Sequence, residues 1–129
     1  MNDILNVGVI GAGRIGKVHT ETLAYRIPAA RVLAIADINL AAAQQLAAVC
    51  GVPKATADYR DVLNDPAIDA VLICSGTDTH ARFTEEAAHA GKHIFCEKPI
   101  AQSLAEIDQA LAAVDKAGVK LQVGFNRRF

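Results

Sequence analysis

The sequence predicts a doubly wound α/β fold, and three observations predict it. Apolar strand-like runs alternate with helix-like segments from one end to the other. Several of those runs, such as Ala70-Val71-Leu72-Ile73-Cys74, are apolar throughout and do not alternate with polar residues. The first run ends in a glycine-rich turn that opens a helix. A strand that is apolar on both faces is covered on both faces, and alternation with helices implies parallel pairing through right-handed crossovers.

The elements follow in order. Leu5 to Ile10 reads as the first strand, and Arg14 to Tyr25 as a helix stopped before Pro28. Arg31 to Ala36 is a second strand ended by Asp37, and Leu40 to Val49 an alanine-rich helix closed by Gly51. A weak strand at Lys54-Ala55-Thr56 precedes a short helix from Asp58 to Leu63. Ala70 to Cys74 is the fourth strand. Thr79 to Ala90 is helical and halts at Gly91, and His93 to Cys96 is the fifth strand. Ser103 to Ala117 is a helix whose start carries Ser103 and, three residues on, Glu106, the pattern of a capping box. Gly118 ends it, and Lys120 to Gly124 is the sixth strand. Six strands joined in this way predict the order 3-2-1-4-5-6.

Composition narrows the classes of function. The chain has 129 residues, enough for one domain with its own core, and we take 1–129 as that domain. A hydrophobic fraction of 52% with 21% charged residues describes a globular chain. A formal net charge of -1 offers no footprint for nucleic acid or an anionic membrane. No apolar run approaches the length of a membrane span, and with Asp3 before its apolar run and no basic n-region the start of the sequence does not read as a secretory signal. Cys50, Cys74 and Cys96 are odd in number, form no CxxC pair and have no metal-ligand spacing, which fits reduced thiols in a cytoplasm and no bound metal.

The glycine turn reads Gly11-Ala12-Gly13-Arg14-Ile15-Gly16, a GxGxxG between a buried strand and a helix. In that setting Gly11 permits the tight turn. Gly13 lets main-chain N–H groups approach a pyrophosphate, and Gly16 lets the helix pack on the strand. The helix start adds orphan donors and partial positive charge. This is the fingerprint of a Rossmann dinucleotide site. Asp37 closes the second strand 26 positions after Gly11, near the spacing of about 20 for the acid that accepts the adenosine ribose hydroxyls. A carboxylate there repels a 2′-phosphate, and Ile38, Asn39 and Leu40 supply no arginine to receive one. NAD is therefore expected in preference to NADP. Asp37 or Asn39 as a plain helix cap is the competing reading.

Three more segments fall at carboxyl ends of strands, where open α/β sheets bind ligands. They are Cys74-Ser75-Gly76-Thr77-Asp78-Thr79-His80, Cys96-Glu97-Lys98-Pro99-Ile100 and Gly124-Phe125-Asn126-Arg127-Arg128-Phe129. With the GAGRIG turn, the TDTH, CEKP and GFNRRF segments resemble the N-terminal domain of the glucose–fructose oxidoreductase and inositol dehydrogenase family, and the resemblance runs the length of the chain. It implies that Lys98 contacts the reacting hydroxyl and helps its proton leave. It implies that Glu97, Lys98, Ser75, Gly76, Thr77 and His80 touch the cofactor, as does Asn126, and that Arg127 lies near the substrate. A cis bond before Pro99 is also implied.

Chemistry supports Lys98 independently, because a hydride leaves a carbinol carbon only as the hydroxyl proton leaves, and a lysine in a partly dry cleft beside a pyridinium is suited to that task. Lys98 as a solvated surface residue is the competing reading. His80 reads equally as a cofactor contact or a cap of the helix that follows. His19, His89 and His93 read as structural or solvated, Cys74 and Cys96 as small buried apolar residues, and Arg127 with Arg128 as either ligand contacts or a solvated tail.

The resemblance also implies a C-terminal substrate domain, with an aspartate and a histidine acid/base, that has no counterpart in this chain. The expectation is a truncated, cofactor-binding unit of a polyol dehydrogenase. It should hold dinucleotide weakly or moderately and turn over substrate negligibly, and exposed apolar area near Phe125 and Phe129 should favour a homo-oligomer. A non-catalytic NAD(H)-sensing module is the alternative, and Lys98 argues against it.

Overall fold

The structure, a computed structural model, describes residues 4–124. One parallel sheet of six strands runs through it: β1 (Leu5–Ile10), β2 (Ala30–Ala36), β3 (Lys54–Thr56), β4 (Ala70–Ile73), β5 (His93–Glu97) and β6 (Leu121–Gly124). The spatial order is β3-β2-β1-β4-β5-β6, as the alternation predicts. The helices are α1 (Arg14–Arg26), α2 (Leu40–Cys50), α3 (Arg60–Leu63), α4 (Thr77–His89) and α5 (Leu104–Ala117). Among the described residues no helix is long and apolar enough to cross a membrane.

Two cores flank the sheet. Val7, Val9, Val32 and Ile35 meet Ala43, Leu46 and Ala47 of α2, with Leu23 of α1 packed against them. On the other face Ile10, Val71, Ile73, Ile94 and Cys96 meet α3, α4 and α5 through Val62, Phe83, Ala87, Ala113 and Val114. Side chains along a strand point alternately to its two faces, so strands buried on both sides have to be apolar at every position. This is why β4 reads as an unbroken run. The small α2 residues let that helix lie close on β2. Gly8 serves the same end on the opposite face, where a Cβ would sit 2.3 Å from Val62 Cγ1.

The helix boundaries differ from the sequence expectation where side chains compete for the backbone. α3 starts at Arg60 because Thr56 and Asp58 make local turns first: Asp58 N donates to Thr56 Oγ1 (3.1 Å) and Arg60 N to Asp58 Oδ1 (2.9 Å). α4 starts at Thr77, with extended Gly76 as its N-cap, so Thr77 belongs to a helical turn. Ser103 caps α5 as expected, its hydroxyl accepting from Glu106 N (3.2 Å). The Glu106 carboxylate, however, receives the Ser103 hydroxyl (3.0 Å) in place of the main-chain N–H of a full capping box.

Candidate functional site

The carboxyl ends of β1 and β4 diverge at the centre of the sheet, where the chain turns outward to α1 on one side and α4 on the other. A cleft of about 590 Å³ opens there, within the range of small-molecule sites. Gly11, Gly13, Arg14 and Ile15 line it from the first turn, Asp37 from the end of β2, and Ser75 and Gly76 from the loop after β4. These seven site residues expected from the sequence are thus brought together.

The three glycines have three different reasons to be glycine. Gly11 has φ +113°, and a Cβ on it would lie 2.6 Å from the Cys74 carbonyl carbon and oxygen. The first turn and the loop after β4 therefore touch main chain to main chain. Gly16 lies in the first turn of α1, and its Cβ would fall 1.8 Å from Gly11 O. That contact fixes the helix against the turn. Gly13 is the reverse case: nothing lies within 4 Å of the Cβ it lacks. The space is open, and it lies where α1 begins with no side-chain cap and no acidic residue in its first turn. A bare helix start of this kind presents N–H donors and partial positive charge to an anion.

Asp37 closes the far wall. Its Oδ2 accepts from Ala12 N (2.7 Å) and its Oδ1 from Asn39 N (2.8 Å). The carboxylate is thereby pinned between the glycine turn and the start of α2. Each oxygen retains a further lone pair. Helix capping falls to the neighbour, since Asn39 Oδ1 accepts from Ala42 N (3.3 Å). Ala12 and Gly16 back the turn without facing the cleft.

The loop after β4 is held by a chain of hydroxyls. Thr79 Oγ1 donates to Gly76 O (2.6 Å), which leaves Ser75 Oγ to donate to Thr79 Oγ1 (2.7 Å). His80 does not cap α4. Its ring is 2% exposed and turned to the main-chain oxygens of Pro99 (Nδ1, 2.7 Å) and Ser75 (Nε2, 2.9 Å). α4 is capped by Gly76 with no side-chain bond.

At the end of β5, Lys98 is exposed, its N–H donates to Gly124 O (3.3 Å), and the Lys98–Pro99 peptide is cis. Glu97 Oε1 is in hydrogen-bond contact with His19 Nε2, and the His19 ring stands edge-on to Phe95 with centroids 5.4 Å apart. His19 is therefore a partner of a site-edge residue. Asn126 and Arg127, with Phe125, Arg128 and Phe129, lie outside the described residues.

Several lining residues carry no sequence signal. Tyr59 and Phe83 stack at 4.2 Å between centroids, and the Tyr59 hydroxyl donates to Glu86 Oε1 (2.6 Å). That bond, followed by burial, raises the Tyr59 pKa. Ile38 is 95% exposed at the lip. Cys74 was expected inside a strand; it lies one residue past β4 and lines the cleft, partly exposed. Burial pushes its thiol up to about 12 and that of Cys96 up to about 11, so neither is a thiolate at neutral pH. Among the described residues no cluster of three His, Cys, Asp or Glu side chains is placed to hold a metal.

Residues 5–125 match the model of the oxidoreductase family with an NAD-binding Rossmann fold. The chain belongs to that family. An oxidoreductase of Bacillus subtilis is 55% identical over 122 residues, covering 95% of this chain and 36% of that protein. The myo-inositol 2-dehydrogenase of Thermotoga maritima is 43% identical over 125 residues, covering 97% of this chain and 37% of the enzyme. Among solved structures, a scyllo-inositol dehydrogenase from Lactobacillus casei with bound NAD(H) and scyllo-inositol superposes with a TM-score of 0.91 at 33% identity, over 98% of this chain and 37% of that one. The chain thus spans a little over a third of the length of these relatives.

Proposed function

We propose that this chain is the cofactor-binding part of an NAD-dependent dehydrogenase acting on a cyclic polyol of the myo-inositol kind. The observation that carries the reading is the open space at Gly13: a cradle that a side chain there would enter, at an uncapped helix start, opposite a carboxylate held by main-chain amides. A dinucleotide pyrophosphate fits that donor set, and the ribose hydroxyls fit the remaining lone pairs of Asp37. The fixed negative charge of Asp37 supports NAD over NADP.

A bound nicotinamide would supply the hydride acceptor. Arg14, in the first turn of α1, faces the phosphate side of the cleft. The loop Ser75–Gly76, which lines the cleft, would hold the nicotinamide side, with Glu97 and Lys98 at the next strand end. Lys98 Nζ takes the proton of the substrate hydroxyl, or holds that hydroxyl for another base. Asn126 and Arg127 are proposed to flank the same region, and a second substrate wall belongs to residues beyond this chain. Taken alone, the 129-residue chain binds dinucleotide and turns over polyol negligibly.

The test is a titration with NADH, read by fluorescence or calorimetry. Saturable binding that is lost in Gly13→Val and weakened in Asp37→Ala is the expected result. No saturation in the wild-type chain, or undiminished binding in Gly13→Val, overturns the reading.

A further inference from the structure

His19 lies on α1 and Glu97 ends β5, and the fold brings both to one face of the sheet. Gly16 and His19 are three residues apart on a helix, so they share a side of α1. Gly16 presses that side onto the glycine turn, and His19 follows about one turn further along. Phe95 and Glu97 are two residues apart on a strand, so they point to the same face. Ile94 and Cys96 point the other way, into the core beneath α3, α4 and α5. The His19 ring stands edge-on to Phe95, and its Nε2 is in hydrogen-bond contact with Glu97 Oε1. A carboxylate only accepts, so Nε2 carries the N–H of this bond.

The other side of the carboxylate is bounded as well. Gly124 stands opposite Glu97 in the β5–β6 register. A Cβ on Gly124 would lie 3.1 Å from Glu97 Oε2 and 2.9 Å from Phe95 Cζ, so both side chains lean over the glycine. The Glu97 side chain is left 13% exposed. A carboxylate so far withdrawn from water needs a donor to hold it, and His19 supplies one from a different element. The group also stands close to the cofactor cleft. After burial, the Glu97 charge is the next cause that raises the Cys74 thiol, and Cys74 lines that cleft.

We propose that His19 is a positioning residue for the nicotinamide half of the cofactor, acting through Glu97. Helix α1 then serves both halves of the ligand. Its start, at Gly13, is the proposed diphosphate cradle. Its second turn sets the carboxylate that immediately precedes Lys98 in the chain. Without the His19 N–H, that carboxylate lies over a glycine that offers no donor side chain. Contacts to adenosine and diphosphate keep their geometry, and contacts to the nicotinamide half lose theirs. The inference rests on the dinucleotide site proposed above.

The test compares NADH with ADP, which carries only the adenosine and diphosphate, by calorimetry on the full chain. His19→Ala is expected to weaken NADH roughly fivefold to tenfold, about the worth of one hydrogen bond, and to leave ADP within about twofold. His19→Gln, whose side-chain amide can donate to Glu97, is expected to recover most of the loss. In a Glu97→Ala background, His19→Ala should cost nothing further, because its route is already gone. Unchanged NADH affinity in His19→Ala, equal losses for NADH and ADP, no recovery in His19→Gln, or full additivity with Glu97→Ala overturns the inference. Should the alanine chain not fold, His19→Leu, which keeps an apolar contact on Phe95, answers the same comparison. A wild-type chain that saturates with neither NADH nor ADP refutes the proposed function and the inference with it. A wild type that binds both, with His19→Ala losing both equally, refutes the inference alone.

Discussion

Gly16→Ala separates a structural glycine from a ligand-binding one, and its sign is not obvious in advance. Gly16 lies in the first turn of α1, where alanine is favoured by about 1 kcal/mol over glycine. Against that, the added Cβ falls 1.8 Å from Gly11 O and 2.8 Å from Gly11 C, whereas ordinary contact begins near 3.4 Å. The obstacle is backbone, so no rotamer change relieves it. α1 must withdraw from the turn by about 1.6 Å, across an interface where inserting even one methylene costs about 1–3 kcal/mol and a main-chain clash sits at the upper end. The net expectation is a loss of about 2 kcal/mol, or on the order of 5–10 °C in Tm for a chain of this size. Urea and thermal denaturation followed by circular dichroism read it. Gly13→Ala is the control: its methyl meets nothing, so its Tm should stay within about 2 °C while NADH binding falls. A Gly16→Ala chain as stable as wild type, or a Gly13→Ala chain as destabilised as Gly16→Ala, refutes the reasoning.

Asp37→Asn keeps one acceptor but loses the charge, so NADH should bind roughly tenfold or more weakly, with discrimination against NADPH narrowing in parallel calorimetric titrations. Lys92→Met removes a buried ammonium that donates to Asp65 O and Ile68 O, both at 2.7 Å. Leaving two carbonyls unpaired should cost about 2–4 kcal/mol in urea denaturation, with NADH affinity of the folded chain unchanged. The raised thiols make stability fall in alkali. A group whose pKa is higher folded than unfolded contributes fully below its unfolded value, so Cys74 and Cys96 stabilise below pH 9 and lose that contribution as pH rises toward about 12 and about 11. Cys74→Ala should therefore flatten the decline in urea midpoint above pH 9, and an unchanged decline counts against burial of that thiol.

The sheet was legible because each strand of a doubly wound fold must be apolar on both faces, so residues such as Val71 and Ile73 announce their burial one by one. The strand order follows from the crossovers and the position of the glycine turn. Seven cleft residues were legible for a related reason: Gly11, Gly13 and Asp37 are tied to local geometry at fixed offsets. What stayed hidden depends on distant parts of the chain meeting. Tyr59 and Phe83 stack across 24 positions, His19 reaches Glu97 across 78, and Lys92 finds its carbonyls 24 and 27 residues back. No periodicity carries such pairs. His80 was noticed, but the cap it offered does not form, because one residue type in one loop does not disclose that the chain folds two carbonyls onto it.

Lys92 stands just before β5, and its two acceptors lie just before β4, at the amino ends of the strands. β5 is five residues long, so this anchor lies about 16 Å from the ligand end of the same strand. The foundation of the domain and its working edge are thus physically insulated. Randomising the upper turns in a selection for other nucleotides leaves the lower tether intact, so variants from such a library should differ in what they hold far more than in whether they fold.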